Sequence, residues 1–479
     1  MQTQKRKPNI LFIMYDQQRY DCVGFSRGYP VRTPHIDAVA ERGAWFERAY
    51  TPIPVCAPAR QALFTGRRPE ESGGLWNPHI VFPLHSRLEG FRWTNAIRDA
   101  GYATSLVGLW ELSGCTPSDY GFERHISRAE LAAEHEANIT GVNFTNGFFG
   151  ESDPAPLEYN NTHITARRAV DELRRLHDTG KPWYLHLDCP EPHLPCRPSA
   201  PFDTMYDPET VPVWAGFNEN FEGKPYIRKQ QLYNWGLEDR GWDEWRKTVA
   251  LYYGIISQCD DAVGRVTAEL DRLGERENTV IIYTSDHGDM CGSHRLIDKH
   301  YNMYDDICRV PLAIEWDGHI IPRRNSGFTH GCLDLGPTLL GLLGIDCPVD
   351  AFHGADLSDA LISGRDTGGE FAVSTYNGQQ FGLFCERMIT DGRLKYVWNL
   401  TDIDELYDLD RDPGELCNRI NDDAYAGRVK ELRVKLHDEL KRCSDGIIGW
   451  TGRQLTEGRK LRGNAEYYLP QGGTPPARR

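Results

Sequence analysis

Cys56 opens the segment Cys56-Ala57-Pro58-Ala59-Arg60, which Gln61 to Arg67 continue as the start of a helix. A side chain there lies over the positive helix end, which favours an anionic nucleophile or a bound oxyanion. Arg60 adds a fixed charge and a fork of donors. The bland alternative is a loop cysteine at a Pro-rich turn, and C-x-P-x-R arises by chance in this composition roughly one time in ten, so the neighbours decide. Asp16 follows the apolar run Asn9 to Tyr15, and Asp286-His287-Gly288 follows the run Thr279 to Thr284. Ligands in open α/β sheets bind beyond the carboxyl ends of strands, so both aspartates reach one edge. Their oxygens, the His287 nitrogen and the Gln17 amide would make a mixed site for one divalent cation; helix capping is the alternative use of each carboxylate. His193 stands between Pro192 and Pro195 in an extended loop that does not suit a core histidine. Lys299 lies in Asp298-Lys299-His300, past a Gly- and His-rich loop, and alone reads as solvated surface.

The elements that must carry these residues are legible from apolar periodicity. Asn9 to Tyr15 is nearly all apolar and rich in strand formers, as in a strand buried on both faces of a parallel sheet. Thr33 as N-cap, Pro34 at the first helical position, apolar Ile36, Val39 and Ala40 on one face and Gly43 as the stop define the next helix. The alternation recurs: a helix ending at Gly101, a strand Ala103 to Gly108, a helix Ala166 to Leu176, a strand Trp183 to Asp188 and a long helix Trp245 to Leu273. The run Thr279 to Thr284, a strand Pro311 to Ile314 and a helix Leu333 to Leu343 continue it. This pattern predicts an α/β fold over residues 1–365, with a large, mostly parallel β-sheet sandwiched by helices. Short strands at Phe371 to Thr375, Phe384 to Thr390 and Lys395 to Trp398, then a helix near Ala424 to Arg442, predict a small C-terminal antiparallel sheet with one packed helix over 366–448. Residues 449–479, rich in Gly, Pro and Arg, read as an arm or tail, one that would lie across a neighbouring subunit of a homo-oligomer.

Composition narrows the function. Of 479 residues 40% are hydrophobic, 26% charged and 11% aromatic, which argues against disordered, fibrous and coiled-coil chains. With 54 Lys and Arg against 69 Asp and Glu, the net charge is −15; no basic run marks a nucleic-acid binder, and an anionic substrate needs a local cationic pocket. No segment approaches the roughly 18 to 20 apolar residues of a membrane helix, and Ile10 to Tyr15 is shorter than a signal-peptide core. The thirteen scattered cysteines show no CxxC pair, so neither a disulfide framework nor a zinc ribbon is indicated and a reducing, cytoplasmic setting is expected. The insertion Phe202 to Gly241, with Trp214, Phe217, Tyr226, Tyr233 and Trp235, is expected either to rim the pocket and stack on a sugar or aryl group, or to pack beneath a long loop.

Taken in order, these segments resemble the formylglycine-dependent (type I) sulfatases of the alkaline phosphatase superfamily. The resemblance runs through Asn9 to Asp16, C-x-P-x-R with Thr65-Gly66-Arg67, Gly101 to Thr104, Pro192 to Pro195, Thr284 to Asp289 and Asp298-Lys299. It continues through Arg309 to Leu312, Asp334 to Thr338, and Glu405 to Leu409 with Asp412-Pro413. It implies hydrolysis of sulfate monoesters by the hydrate of a formylglycine that a formylglycine-generating or anaerobic sulfatase-maturating enzyme makes from Cys56. It also implies one divalent cation, Ca2+ first, with Mn2+ or Mg2+ as alternatives. By motif match Asp16, Asp286, His287 and the modified Cys56 hold the metal, with Gln17 joining them, and Arg60 orients the hydrate. His193 and Lys299 bind the transferred group or protonate the leaving oxygen.

Two departures from the family pattern bear on mechanism. Many members have Gly-Lys-Trp-His where this chain has Gly108-Leu109-Trp110-Glu111. Losing one charge-assisted hydrogen bond costs about 1.5 to 3 kcal/mol, on the order of 10- to 100-fold in rate, so Leu109 alone need not abolish activity. Glu111 is the candidate replacement for the base that collapses the hemiacetal. The pairs Asp16-Gln17 and Asp286-His287 are similar to the branch of choline-sulfatase-like enzymes and phosphonate monoester hydrolases. That makes phosphonate monoester or phosphodiester hydrolysis the second reading, and Asn77 would be a substrate contact in that branch, unless it only shapes the turn at Pro78. The third reading, an inactive relative that binds sulfated glycans, is suggested by Leu109 and Glu111 and opposed by Cys56, Arg60 and the metal set.

Overall fold

The computed structural model describes residues 6–78, 88–379 and 381–458. At its centre β1 (Asn9–Asp16) is buried along its whole length, the consequence of an apolar run flanked by strands on both sides. With β2 (Ala44–Ala49), β3 (Ala103–Gly108), β4 (Arg124–Ser127), β5 (Trp183–Pro192), β6 (Thr279–Ser285), β7 (Leu312–Glu315) and β8 (Arg323–Thr329) it forms a sheet ordered β4-β3-β5-β1-β6-β7-β2-β8. Pairings are parallel except at β7, which runs against both β6 and β2.

Alternation along β1 divides the core into two layers. Leu11, Ile13 and Tyr15 face α1 (Pro34–Arg42), α4 (Asn161–Asp178) and α6 (Trp242–Leu273). Ile10, Phe12 and Met14 join the cluster of α2 (Cys56–Thr65) and α7 (Cys332–Leu343). Two further helices of this part are α3 (Arg128–Asn138) and α5 (Tyr226–Trp235). The predicted α/β sandwich is therefore the observed one. The strands β2, β4 and β8 are not legible in the sequence because they are short or polar: β4 and β8 form the sheet edges, β2 lies beside β8, and none of the three is an unbroken apolar run.

The second sheet, ordered β12-β11-β10-β9, is antiparallel and contains β9 (Ala372–Tyr376), β10 (Glu386–Thr390), β11 (Leu394–Asn399) and β12 (Glu405–Asp408). Its Val373, Ile389, Tyr396 and Trp398 pack on Leu432, Leu436 and Leu440 of α8 (Ala426–Arg442). The supposed arm begins with a helix, α9 (Ile448–Glu457), whose Leu455 is buried in the same cluster, so the sheet carries two helices; the Gly residues around it hid its apolar spacing. Residues 459–479 of the expected tail lie outside the described residues.

Buried ion pairs fasten this sheet to the loops after β6. Arg228 on α5 bonds Glu386 at 2.8 Å, Glu405, and the Tyr301 carbonyl at 2.5 Å. Lys395 reaches Asp305 at 2.6 Å and Glu415 at 2.8 Å, and Ser374 donates to the Thr51 carbonyl at 2.7 Å. Among the described residues no helix is long and apolar enough to cross a membrane.

Candidate active site

Parallel pairing of β1 with β6, in which Tyr15 faces Ser285, brings the next residues Asp16 and Asp286 side by side at the sheet's carboxyl edge. The chain then turns at Gln17, whose positive φ of 68° lets its N–H donate to Asp286 Oδ1 at 3.0 Å. On the other side of β1, β5 contributes Asp188, and β3 can lie against it only because position 108 is glycine: a Cβ there would stand 1.9 Å from the Asp188 carbonyl. The helix α2 starts at Cys56 and is buried at every residue, so its positive end and its first side chain are fixed over this edge. Arg60, one turn on, points the same way.

The result is a tight cluster. Cys56 Sγ lies 3.2 Å from His287 Nε2 and 3.7 Å from Asp16 Oδ1. His287 Nε2 is 3.5 Å from Asp286 Oδ2 and 3.8 Å from Asp16 Oδ1, while its Nδ1 faces the Gly288 carbonyl at 2.9 Å. With the proton on Nδ1, the Nε2 lone pair is directed into the cluster. Arg60 holds Asp188 with Nε at 3.0 Å and Nη2 at 2.9 Å, and its Nη1 meets Asp286 at 2.6 Å, Glu111 at 3.1 Å and Asp16 at 3.2 Å. Across the site Lys299 Nζ donates to His193 Nε2 at 2.8 Å and to Gln17 Oε1 at 2.7 Å, beside Asp298 at 3.3 Å.

Donor atoms of Asp16, Cys56, Asp286 and His287 all lie within 4.8 Å of one another, and all four residues are buried. Asp188 pairs with Arg60 by a two-pronged contact, which leaves Asp16 and Asp286 as two further carboxylates around the His287 Nε2 and a sulfur position. Such a set fits one divalent cation. Burial would raise Asp16, but Arg60, His193 and Lys299 hold it well below the usual carboxylate range. Burial and the Asp16 charge push the Cys56 thiol up, so the thiol itself is a poor nucleophile here. Burial likewise raises Glu111, with Arg60 opposing and the neighbouring carboxylates adding to the rise. For His193, burial and the Lys299 charge weigh against protonation, yet Asp16 and Cys56 hold it above its ordinary value.

Among the residues singled out by sequence, Asp16, Cys56, Arg60, Glu111, Asp286 and His287 share this centre, and His193 and Lys299 face it as a pair. Gln17 stands beside the cluster: its amide nitrogen is engaged by Asp289 at 2.7 Å and Asp298 at 3.0 Å, and its oxygen by Lys299. Asn77 Oδ1 accepts the Ala57 N–H at 3.0 Å, so it secures the first turn of α2. Asp188 went unnoticed, although a carboxylate at the end of a buried strand was the available signal. In the aromatic insertion Trp214 is 2% exposed beneath the Arg19 guanidinium and Phe217 packs on Trp242. Both serve packing, while Tyr226 and Tyr233 are exposed on α5.

The sulfatase family matches residues 8–345, and the C-terminal part of N-sulphoglucosamine sulphohydrolase matches residues 292–443. The chain belongs to the sulfatase family. It is accordingly a sulfuric ester hydrolase. A sulfatase of Escherichia coli, YidJ, is 32% identical over 92% of this chain and 88% of its own. The phosphonate monoester hydrolase of Agrobacterium radiobacter superposes with a TM-score of 0.77 at 25% identity, over 91% of this sulfatase and 96% of that chain. A protein solved in complex with its substrate D-glucosamine-2-N,6-O-disulfate superposes with a TM-score of 0.75 at 21% identity, over 92% and 99% of the two chains. That likeness is one of fold.

Proposed function

We propose that this sulfatase hydrolyses sulfate monoesters of a saccharide or aryl alcohol with a formylglycine made from Cys56, next to one bound cation, Ca2+ in preference to Mn2+ or Mg2+. The observation that carries the reading is the position of Cys56 Sγ. It is the first side chain of a buried helix, 3.2 Å from His287 and 3.7 Å from Asp16, with Arg60 one turn behind it. A cation held by Asp16, Asp286 and His287 would supply Lewis acidity toward the oxygens of the transferred group. Oxidation of Cys56 by a separate maturation enzyme would supply a hydrated aldehyde as nucleophile.

The other roles follow from charge and reach. Arg60, fixed by Asp188, orients the two hydroxyls at position 56. Lys299 binds an anionic sulfuryl oxygen, and as its ammonium turns toward that oxygen it frees His193 Nε2 to carry a proton to the departing alcohol. Glu111 lies 3.1 Å from Arg60 Nη1, and burial raises its carboxyl; its carboxylate would be the base that takes up the proton released as the sulfated hydrate collapses. The absence of a lysine at Leu109, together with the Gln17 and His287 pattern, also supports a phosphonate monoester reading. Side-by-side kcat/KM for p-nitrophenyl sulfate and p-nitrophenyl phenylphosphonate, on protein whose Ala49–Arg60 peptide is shown by mass spectrometry to contain the aldehyde, decides between them. A higher value for the phosphonate rejects the sulfate assignment.

A further inference from the structure

A row of polar side chains leads from the sheet interior to Arg60. Tyr184, His186 and Asp188 are alternate residues of β5, so they share one face of the sheet, and all three are 0% exposed. Aromatic rings surround His186: it stacks on Phe12 with centroids 4.6 Å apart and lies 5.4 Å from Phe64 of α2 and 6.0 Å from Phe122. An apolar side chain would suit that environment, whereas a buried imidazole bears a cost for each nitrogen left without a partner. Only Nδ1 has one, the Tyr184 hydroxyl at 2.8 Å; Nε2 has no hydrogen-bond partner among the described residues. Asp188 Oδ2 lies 3.8 Å from Nε2, too far for a hydrogen bond.

That carboxylate sets the tautomer. A lone pair on Nε2 would face a negative oxygen, so the proton sits on Nε2 and the Tyr184 hydroxyl donates to Nδ1. Burial holds the imidazole below its ordinary value, with Asp188 opposing, and burial raises the Tyr184 phenol, so the ring is neutral and the phenol keeps its proton. The Nε2–H dipole thus points at the same Asp188 oxygen that accepts Arg60 Nε at 3.0 Å. In an apolar surround no water screens it, and a dipole aimed at a charge acts across such a gap. Resting on the hydrate-orienting role of Arg60, we propose that His186 is a positioning residue. Its Nε2–H holds the Asp188 carboxylate in the orientation that engages Arg60 Nε and Nη2, which keeps Nη1 directed at the reacting centre. Neither His186 nor Tyr184 touches the reacting atoms; both act through Asp188.

Two substitutions separate positioning from packing. His186→Phe keeps the ring stack and removes the donor, while His186→Gln gives up the ring and keeps an N–H where Nε2 stood. Kinetics are read with whichever ester, sulfate or phosphonate, the wild type turns over faster. His186→Phe is expected to lower kcat about tenfold with KM changed less than about twofold, and His186→Gln to keep kcat within about threefold of wild type. Melting curves should nevertheless rank the Gln variant as the less stable of the two. A residue that only packs gives the reverse order of activity, and that result overturns the proposal. In an Asp188→Asn background His186→Phe should cost less than about twofold, because its effect passes through the carboxylate; an undiminished loss there also overturns it. The coupling is read without turnover as well: in urea unfolding, the stability lost by His186→Phe/Asp188→Asn should be smaller than the sum of the single losses, and additive losses reject it. If His186→Phe does not fold, Tyr184→Phe, which unpins the tautomer, replaces it in both cycles with an expected loss of about threefold in kcat. A wild type that prefers the phosphonate rejects the sulfate assignment and leaves this proposal standing, whereas one that cleaves neither ester overturns both.

Discussion

Arg60 keeps Nε and Nη2 on Asp188 and shares Nη1 among Asp16, Asp286 and Glu111. Asp188 therefore acts through Arg60. Replacing it by Asn preserves size but removes the charge that fixes the fork, and about 1.5 to 3 kcal/mol of a charge-assisted contact should go with it. Asp188→Asn is expected to lower kcat for p-nitrophenyl sulfate by roughly 10- to 100-fold with little change in KM; an unchanged kcat rejects the positioning role. The cation can be followed without catalysis. At a hundred times its Kd, added Ca2+ should stabilise the chelator-treated protein by about 2.7 kcal/mol, read as a rise in Tm. Asp286→Asn should abolish that rise.

At the scale of elements, the site depends on α2 beginning where it does. Val55 occupies the N-cap position without a capping side chain, and Asn77 satisfies the Ala57 N–H from a distance in sequence. Asn77→Ala should cost about 1 kcal/mol, the usual worth of such an acceptor, visible as a lower urea midpoint; an unchanged midpoint would assign Asn77 to substrate alone. This contact also shows where sequence reading ends. The strands β1, β3 and β6 and the start of α2 were legible because buried apolar runs and helix punctuation are local, and they delivered Asp16, Asp286, His287, Cys56 and Arg60 to one edge. Asn77 as a helix anchor and Asp188 as the partner of Arg60 were not, because each depends on a contact between segments far apart in the chain. For Gln17, expected to join the ligands because it follows Asp16, the amide contacts to Asp289 and Asp298 likewise depend on segments far off in the chain.

For the molecule as a whole, charge is buried at the seams. Glu219 is one such group: against the cost of burial, His294 and Lys224 hold its carboxyl down to about 2 from an ordinary 4.5. Its folded value lies below its unfolded one, so the stability it adds is present above about 4.5 and is lost as pH falls toward 2. The drop in urea midpoint between about pH 5 and about pH 3, which lies across that window, should be smaller in Glu219→Gln than in the wild type. An identical drop rejects this assignment. The seam at Arg228, Glu386 and Glu405 ties the second sheet to the Tyr301 carbonyl, two residues from Lys299, so the smaller sheet braces the loop that carries Lys299.

Cys56 is 3% exposed, and each of its α2 neighbours is sealed in the same way. On the proposed reading, a maturation enzyme would have to reach a side chain that the folded chain seals. Conversion would then be confined to the interval between synthesis and closure. Thiol-form protein that has already matured in shape should stay unconverted on later exposure to the modifying enzyme, and become a substrate for it only after unfolding.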